Sequence, residues 1–248
     1  MEGVFGDRDC TWVVTSLATD GDLFSWCERA SSPGPEREQE MRPIAGQIFD
    51  AVRWLHDIGI AHGDLSLENI LLTKGGAGQL RVQIIDFGMA TLSRRELQAR
   101  GKPAYQAPEM NDDEVREYDA FLSDAFALGV VLYAMAAKNY PWAETRRNMD
   151  TVFEYVRKNG LPKFLASRKV RKGSDKTLAT VFSAGLADIL DGLLKIDPEE
   201  RLTVGEACFA AERKSVWGEE WMQGWVEPIH LRGAELTKLG GARSPVRS

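Results

Sequence analysis

The sequence contains little cysteine and no cysteine spacing typical of a disulfide framework or a zinc site. Its three cysteines, Cys10, Cys27 and Cys208, lie far apart in a chain of 248 residues. A small disulfide-bonded scaffold needs an even, closely spaced set, and a zinc site needs paired ligands at short spacing. The cysteine pattern therefore predicts a reducing compartment, and we expect an intracellular, cytoplasmic location.

The chain also lacks a net positive charge, a secretory signal and a very long apolar run. Its formal net charge is -6 and its pI is near 5.3, which gives no general electrostatic footprint for nucleic acid or an anionic membrane. The first residues are acidic and mixed, which argues against a secretory signal. Residues 125–137 are charge-free but shorter than the roughly 20 residues of a membrane span, which predicts a buried core helix. We expect neither nucleic acid nor a membrane as a partner.

The apolar pattern predicts one main folded unit with several helices. Residues 28–39 are rich in turn-forming residues and are interpreted as a connection. Helical spacing then predicts a long amphipathic helix that leads to residue 62, with its apolar face at Ile44, Ile48, Val52 and Leu55. Another core helix is predicted at 186–194. Three tryptophans four residues apart favour a packing stripe on a final helix: Trp217, Trp221 and Trp225. Beyond Val226 a disordered tail is expected.

Two acidic motifs are the most informative feature of the sequence. Residues 62–69 read H-G-D-L-S-L-E-N, and residues 86–88 read D-F-G. Together they supply two carboxylates, Asp64 and Asp86, and one amide, Asn69. A transferring phosphoryl group needs little covalent help, so a protein that catalyses this reaction supplies positioning, metal ligands and a carboxylate for the attacking hydroxyl. The pattern therefore predicts phosphoryl transfer on a magnesium nucleotide.

At these motifs the chain resembles the eukaryotic protein kinases, whose catalytic loop reads H-R-D-x-x-x-x-N and is followed by D-F-G and A-P-E. Further matches follow in the order of the family: A-P-E at 107–109, the start of the central buried helix at 124–129, P-W at 141–142, and the last motif at 197–203. The resemblance implies an ion pair between Arg201 and Glu109. Asp124 either caps its helix, as any aspartate at a helix N-terminus can, or holds the catalytic loop, as the resemblance implies, or does both.

The resemblance implies a serine/threonine protein kinase that transfers the γ-phosphate of ATP, with Mg²⁺, to a hydroxyl of a protein substrate. Asp64 is then the base, and Asn69 and Asp86 are the metal ligands. The serine/threonine type is favoured because residues 65–68 lack the alanines and arginine of tyrosine kinases.

The implied fold is α+β and mainly α-helical, a kinase C-terminal lobe with short β-hairpins around the catalytic loop. The sequence contains no G-x-G-x-x-G loop and no V-A-I-K lysine, so we expect the N-terminal lobe to be largely absent. The predicted division is a remnant of N-lobe strands, hinge and first C-lobe helix at 1–27, the C-lobe at 28–211, and a partly disordered extension at 212–248. A strand is predicted at 11–16, and without a sheet to join it should be loosely held.

The resemblance carries six residues over to the nucleotide site: Thr15, Ser16, Ala18, Asp22, Leu71 and Ile85. Thr15 would lie behind the adenine pocket, while the Ser16 carbonyl and the Ala18 amide would bond adenine. Asp22 would meet the ribose, although an aspartate at this position is equally typical of a helix N-cap.

Three departures from the family pattern lie close to the predicted chemistry. Gly63 replaces an arginine that in many protein kinases binds a phosphorylated activation loop. Ser66 stands where serine/threonine kinases usually have lysine, and Lys102 stands where they usually have threonine. We therefore hypothesise that Lys102 folds back towards Asp64 and the transferring phosphate while Ser66 takes the hydroxyl role. The alternative is that Lys102 points into solvent.

Other functions stay open from the sequence. Small-molecule kinases also use an H-G-D loop, but they lack a peptide-binding segment like residues 101–109. An N-lobe-truncated pseudokinase, or a scaffold that acts through protein contacts, is the rival from another class. This alternative does not explain why Asp64, Asn69 and Asp86 are all present, since a scaffold has no chemical need for them.

Two further features carry predictions about surfaces. Six cations gather within residues 163–176 and form either a solvated loop or a docking patch for an acidic partner: Lys163, Arg168, Lys169, Arg171, Lys172 and Lys176. His56 and His230 have no ligand partners in sequence and are interpreted as ordinary surface or packing residues.

Overall fold

The computed structural model describes residues 3–75, 79–112, 114–210 and 212–224. This part of the chain is predominantly helical and carries three small antiparallel sheets of two strands each. The strands are β1 (Gly3–Gly6), β2 (Thr11–Val14), β3 (Ile70–Lys74), β4 (Leu80–Ile84), β5 (Arg95–Glu96) and β6 (Tyr118–Asp119). The helices are α1 (Leu23–Arg29), α2 (Pro35–Asp57), α3 (Ala120–Ala137), α4 (Thr151–Asn159), α5 (Leu161–Ser167), α6 (Leu178–Val181) and α7 (Ala184–Leu193).

Helix α3 forms the centre of the core, and every one of its residues is buried. Within the described residues it is the one helix long and apolar enough to cross a membrane, yet it lies wholly inside the domain. The prediction of a buried helix at 125–137 is confirmed, although the helix begins earlier. Its N-cap is Asp119, whose side chain accepts a hydrogen bond from the Phe121 amide. Helices α2 and α7 pack against α3.

Helix α2 leads into the catalytic loop as the apolar spacing predicts, and the four predicted apolar positions are buried. The interpretation of residues 28–39 as a connection is wrong in its second half, because the helix begins at Pro35. Proline is favoured in the first helical turn, where no amide donor is needed. Arg37 is fully buried and donates to the carbonyls of Met135, Ser31 and Cys27. A charged residue with such partners has no signature in the local sequence.

The predicted hairpin after the catalytic loop is confirmed in its strands. Strands β3 and β4 pair in register from Ile70 with Ile84 to Lys74 with Leu80. The segment before α1 attaches to this hairpin, because the Leu72 amide donates to the Gly21 carbonyl at 2.8 Å and the Leu72 carbonyl accepts from the Asp20 amide at 3.0 Å. The hairpin therefore links the start of α1 to the catalytic loop.

The strand predicted at 11–16 covers residues 11–14. The expectation that it has no sheet to join is wrong, because it has a partner strand. It pairs antiparallel with β1, from Gly3 opposite Val14 to Gly6 opposite Thr11. All four residues of β2 are exposed. Thr15 and Ser16 follow the strand and are also exposed.

Within the described residues 212–224, the chain does not form the final helix predicted from the tryptophan spacing. Trp217 and Trp221 lie in two short 3₁₀ turns, 216–218 and 220–222. Glycines at 218 and 224 disfavour a continuous helix. Both rings pack nonetheless: Trp221 is buried, and the Trp217 indole donates to the Val204 carbonyl at 2.6 Å. Trp225, His230 and the predicted tail lie outside the described residues.

Candidate active site

Asp124 holds the catalytic loop from beneath. Its Oδ2 accepts from the His62 amide at 2.7 Å, and its Oδ1 accepts from the Gly63 amide at 3.0 Å. The side chain is buried in the first turns of α3. Of the two roles that the sequence left open, Asp124 therefore holds the loop, while Asp119 caps the helix. A carboxylate that accepts two amide hydrogen bonds fixes the backbone just before Asp64.

His56 is part of this support, which sequence reasoning missed. Its Nε2 lies 3.1 Å from Oδ2 of Asp124, and its Nδ1 lies 2.6 Å from Oε1 of Glu206. Its ring stacks on Phe121 with centroids 4.2 Å apart. Burial by itself lowers the pKa of His56, but the two hydrogen-bonded carboxylates outweigh it and raise the pKa to about 9. His56 is therefore a buried cation, not an ordinary packing residue.

One sequence signal could have identified His56. It lies four residues after Val52 on the apolar face of α2, where a polar residue needs a buried partner. Glu206 gives no comparable signal, because its partner lies 150 residues away along the chain.

Asn69 positions Asp64. Its Nδ2 donates to the backbone carbonyl of Asp64 at 2.8 Å and to Oδ2 of the same residue at 2.9 Å. A 3₁₀ turn, Leu67–Asn69, brings the amide back over the loop. The other carboxylate oxygen, Oδ1 of Asp64, is buried and has no hydrogen-bond partner among the described residues. Such an atom is costly unless a ligand or substrate group completes it.

Asp86 lies directly beside this loop. The amide of Ile85 donates to the Asn69 carbonyl at 3.0 Å, and Nε2 of His62 lies 3.0 Å from the Ile85 carbonyl. Asp86 has a left-handed backbone with φ 63°, and its Oδ1 accepts from the Gly88 amide at 3.2 Å. Its carboxylate is exposed. The structure thus brings the D-F-G segment against the catalytic loop.

Magnesium is compatible with the donors at this site. The described residues contain no group of three or more His, Cys, Asp or Glu that could hold a metal. The predicted magnesium ligands are instead one carboxylate and one amide oxygen, from Asp86 and Asn69, beside the predicted base Asp64. Oxygen donors of this kind suit Mg²⁺, which keeps several waters and shares its shell with substrate phosphates. Asp86 supports this interpretation, because it is exposed and, among the described residues, only its Oδ1 accepts a hydrogen bond.

The residues predicted for the nucleotide fall into two groups. Asp22 and Leu71 are neighbours, since they form an antiparallel bridge between the start of α1 and β3. Asp22 is the N-cap of α1 and accepts from the Ser25 amide at 2.7 Å, and hydrogen bonding from Ser25 lowers the pKa of its carboxyl. Ile85 is exposed beside the catalytic loop. The other group, Thr15, Ser16 and Ala18, lies between β2 and α1.

Lys102 meets Ser66, as the exchange of their residue types suggests. Its Nζ donates to Oγ of Ser66 at 2.8 Å and to Oε2 of Glu68 at 2.8 Å. The carboxylate that pairs with Lys102 is therefore Glu68 rather than Asp64. Partial burial opposes ionisation of Glu68, but the ammonium outweighs it and lowers the pKa of that carboxyl. The interpretation of Lys102 as a side chain that merely points into solvent is wrong.

The loop that carries Lys102 lies very close to the catalytic loop. Gly101 has φ +75°, and a Cβ there would lie 2.7 Å from the Gly63 carbonyl oxygen and 3.0 Å from Oδ1 of Asp64. Asp64 and Lys102 also line one small cavity of about 10 Å³, together with Ser123 at the start of α3. Asp64 and Lys102 therefore flank the same space.

Gly63 cannot be replaced by arginine without moving the backbone. It has φ +75°, and a Cβ would lie 2.6 Å from the carbonyl oxygen of Met89. Arg100 lies beside it, donates to that same carbonyl at 3.1 Å and pairs with Glu96 at 3.1 Å. Arg100 belongs to the activation segment, which runs from D-F-G at 86–88 to A-P-E at 107–109. It therefore lies next to Gly63, the catalytic-loop position at which many protein kinases have an arginine.

The predicted ion pair between Arg201 and Glu109 is confirmed. The two contacts of this bidentate pair measure 2.5 and 2.9 Å, and both residues are buried. Arg201 also donates to the carbonyls of Leu122 and Lys195. The pair therefore fixes the end of the activation segment to the core.

Comparisons with known proteins agree with this geometry. A model of the protein kinase domain matches residues 1–211. The serine/threonine-protein kinase chk1 of Schizosaccharomyces pombe is 29% identical over 200 residues, which cover 78% of this chain and 36% of that protein. The serine/threonine-protein kinase H1 homolog of Danio rerio is 29% identical over 213 residues, with 82% and 45% covered. CBL-interacting protein kinase 21 of Oryza sativa subsp. japonica is 30% identical over 210 residues, with 82% and 35% covered.

The chain spans less than half the length of each of these relatives. The predicted family is confirmed, whereas the largely absent N-terminal lobe and the division at residues 27 and 211 stay predictions. The matched domain, with D-F-G, A-P-E and the buried Arg201 to Glu109 pair in place, shows that this chain belongs to the eukaryotic protein kinase family, of serine/threonine type, whose members bind ATP with Mg²⁺.

Proposed function

We propose that this protein transfers the γ-phosphate of ATP to serine or threonine hydroxyls of protein substrates. The observation that carries the proposal is the state of Asp64: Asn69 fixes one carboxylate oxygen, and the other is buried with no hydrogen-bond partner in the described part of the chain. A base that must accept a proton from a substrate hydroxyl needs such a free, oriented oxygen.

Each polar residue of the site has a distinct role in this proposal. Asp64 orients the attacking hydroxyl and accepts its proton at Oδ1, while Asn69 and Asp86 hold magnesium. When bound, the magnesium nucleotide supplies the phosphoryl group and neutralises its charge. The six nucleotide residues of the sequence analysis would line the adenine and ribose side. Asp22 contributes its second oxygen there, because its Oδ1 already caps α1.

Lys102 supplies the cation that the catalytic loop lacks. Its side chain is 42% exposed, so a phosphate can approach it while Ser66 and Glu68 hold the ammonium in place. A lysine at position 66 would lie in the catalytic loop in every conformation of the activation segment. Lys102 instead reaches the catalytic loop only when residues 101–102 pack against it. The proposal therefore makes catalysis depend on the conformation of the activation segment.

Asp64→Asn tests the base. In the full-length protein with Mg-ATP and a generic basic protein as acceptor, we expect the turnover rate to fall about 10²–10⁴-fold. The thermal shift produced by Mg-ATP should persist, because binding does not need the base. Turnover at the wild-type rate in Asp64→Asn would refute the assignment.

A residue exchange tests Lys102. We expect Lys102→Thr to lower turnover and the double change Ser66→Lys with Lys102→Thr to restore part of it, since the double variant has the usual family arrangement. Lys158→Thr, an exposed lysine on α4, is the matched control and should leave turnover unchanged. Full turnover in Lys102→Thr would contradict the role of this ammonium.

A scaffold is the second candidate function. It is favoured by the N-terminal hairpin, which exposes the large apolar side chains of Phe5, Trp12 and Val13. The absence of a thermal shift with Mg-ATP in the full-length protein would favour the scaffold over the enzyme. We also propose an intracellular, cytoplasmic location, which is supported by the three free cysteines.

A further inference from the structure

The cations between α5 and α6 stand on an ordered turn. The backbone of residues 168–178 folds back on itself, with Lys169 bridged to Thr177. The Val170 amide donates to the Lys176 carbonyl at 3.1 Å. At the tip, the Ser174 amide donates to the Arg171 carbonyl at 3.0 Å. Gly173 takes φ +82°, a conformation that favours glycine in a turn.

The base of this turn is fixed in the core. Leu178 is fully buried, and its amide donates to the Arg168 carbonyl at 2.8 Å. On the other side Phe164 is buried on α5 and packs against the ring of Tyr133 on α3, with centroids 6.0 Å apart. The turn is therefore presented at a defined position on the surface. This differs from a solvated linker, whose cations would be free to separate.

We call residues 169–176 the basic turn. Its four cations are exposed: Lys169, Arg171, Lys172 and Lys176. Elsewhere many cations are paired, for example Arg157 with Glu154 and Lys195 with Asp191. Among the described residues, no carboxylate lies within 4.0 Å of any cation of the basic turn. The turn contains one acidic residue, Asp175, so it carries a net charge of about +3 on a chain of net charge -6.

Like charges held close together repel each other, which destabilises the turn unless an anion neutralises them. We propose that the basic turn is a docking surface for a short acidic segment of a partner protein. A short acidic peptide needs only the local charge, whereas a nucleic acid extends its phosphates over the rest of a net-negative chain and is repelled there.

The docking surface is separate from the candidate active site. Tyr133, which contacts the base of the turn through Phe164, lies nine residues beyond Asp124 on α3. That distance along the helix is about 13 Å. Docking at the basic turn leaves the catalytic groups free, because none of them lies within residues 169–176.

Binding can be measured without turnover, so the test is independent of the proposed kinase activity. The probe is a fluorescein-labelled peptide of about ten residues with alternating Glu and Gly, and a Gln and Gly peptide is its control. We expect the Glu peptide to bind the whole chain in a fluorescence anisotropy titration. Arg171→Glu with Lys172→Glu should weaken binding about tenfold or more.

The matched control is Lys158→Glu with Lys214→Glu, two exposed lysines outside the turn with the same change in net charge. It should change the affinity less than about twofold. Arg171→Gln with Lys172→Gln should give an intermediate loss, and thermal melts would verify folding. Equal loss in both charge reversals, or no binding of the Glu peptide, would overturn the proposal. Tighter binding of a thymidine oligonucleotide of equal charge, lost in the same variant, would overturn it in favour of nucleic acid.

Discussion

Two regions of the molecule are stabilised by different kinds of contact. One is the group of charged residues beneath the catalytic loop, and the other is the N-terminal hairpin of β1 and β2. Under the loop, the charges of His56, Asp124 and Glu206 are buried, and each has a partner. In the hairpin, Phe5 and Trp12 are 62% and 61% exposed, and the strands depend on one backbone ladder. Removing one member of a buried charged group leaves an uncompensated buried charge, whereas removing an exposed side chain changes the free energy of unfolding only slightly. Sensitivity to substitution should therefore be concentrated below the catalytic loop.

The largest effect is expected for the buried pair at the end of the activation segment. Arg201→Leu leaves the Glu109 carboxylate buried without its cation, and the free energy of unfolding should fall by about 3–5 kcal/mol. Urea denaturation monitored by tryptophan fluorescence measures it. The double change Arg201→Leu with Glu109→Leu should recover part of the loss, because the buried charge is gone. A loss below about 1 kcal/mol in the single variant would contradict the premise that buried charged groups are more sensitive to substitution than the exposed hairpin.

The next effect is a pH dependence from His56. Its pKa of about 9 in the folded protein lies above the value of about 6.5 expected in the unfolded chain. The stabilisation is therefore fully present below pH 6.5 and is lost as the pH rises through 9. A shift of this size corresponds to about 3 kcal/mol at most. The urea concentration at the unfolding midpoint of the wild type should decrease as the pH rises from 6.5 to 9.

His56→Gln is the control for this titration. It should be less stable at pH 6.5 and should show a flatter stability profile between pH 6.5 and 9, since the titrating group is absent. A wild-type profile that is already flat would mean that the histidine is not held as a cation by Asp124 and Glu206.

The smallest effect is expected in the N-terminal hairpin. Trp12→Ser should change the free energy of unfolding by less than about 0.5 kcal/mol, because the ring is mostly solvated. Leu128→Ala on α3 is the matched core substitution; its side chain is 1% exposed, and its loss should cost about 2–5 kcal/mol. If Trp12→Ser costs as much as Leu128→Ala, the hairpin contributes to the core and the comparison fails.

Patterns that repeat locally were predictable. The apolar face of α2 and the charge-free run of α3 predicted both helices, because period and composition lie within one segment. The start of α2 was missed because Pro33, Gly34 and Pro35 are typical turn residues, whereas Pro35 in fact occupies the first helical turn. The predicted final helix failed because tryptophan spacing alone did not outweigh two glycines. The candidate base and metal ligands were assigned from the resemblance of their motifs to the kinase family, and these assignments stay predictions.

By itself the sequence determined the family, the order of the motifs and the residue types at the candidate catalytic positions, because each of these depends on short stretches of chain. Only the tertiary structure decided that Lys102 pairs with Glu68 and Ser66, and that His56 lies between Asp124 and Glu206. The partners are 34 residues apart in the first pair and 68 and 150 residues apart in the others. No local period reports contacts over such separations, since they arise only when α2, α3 and the activation segment pack around one buried centre.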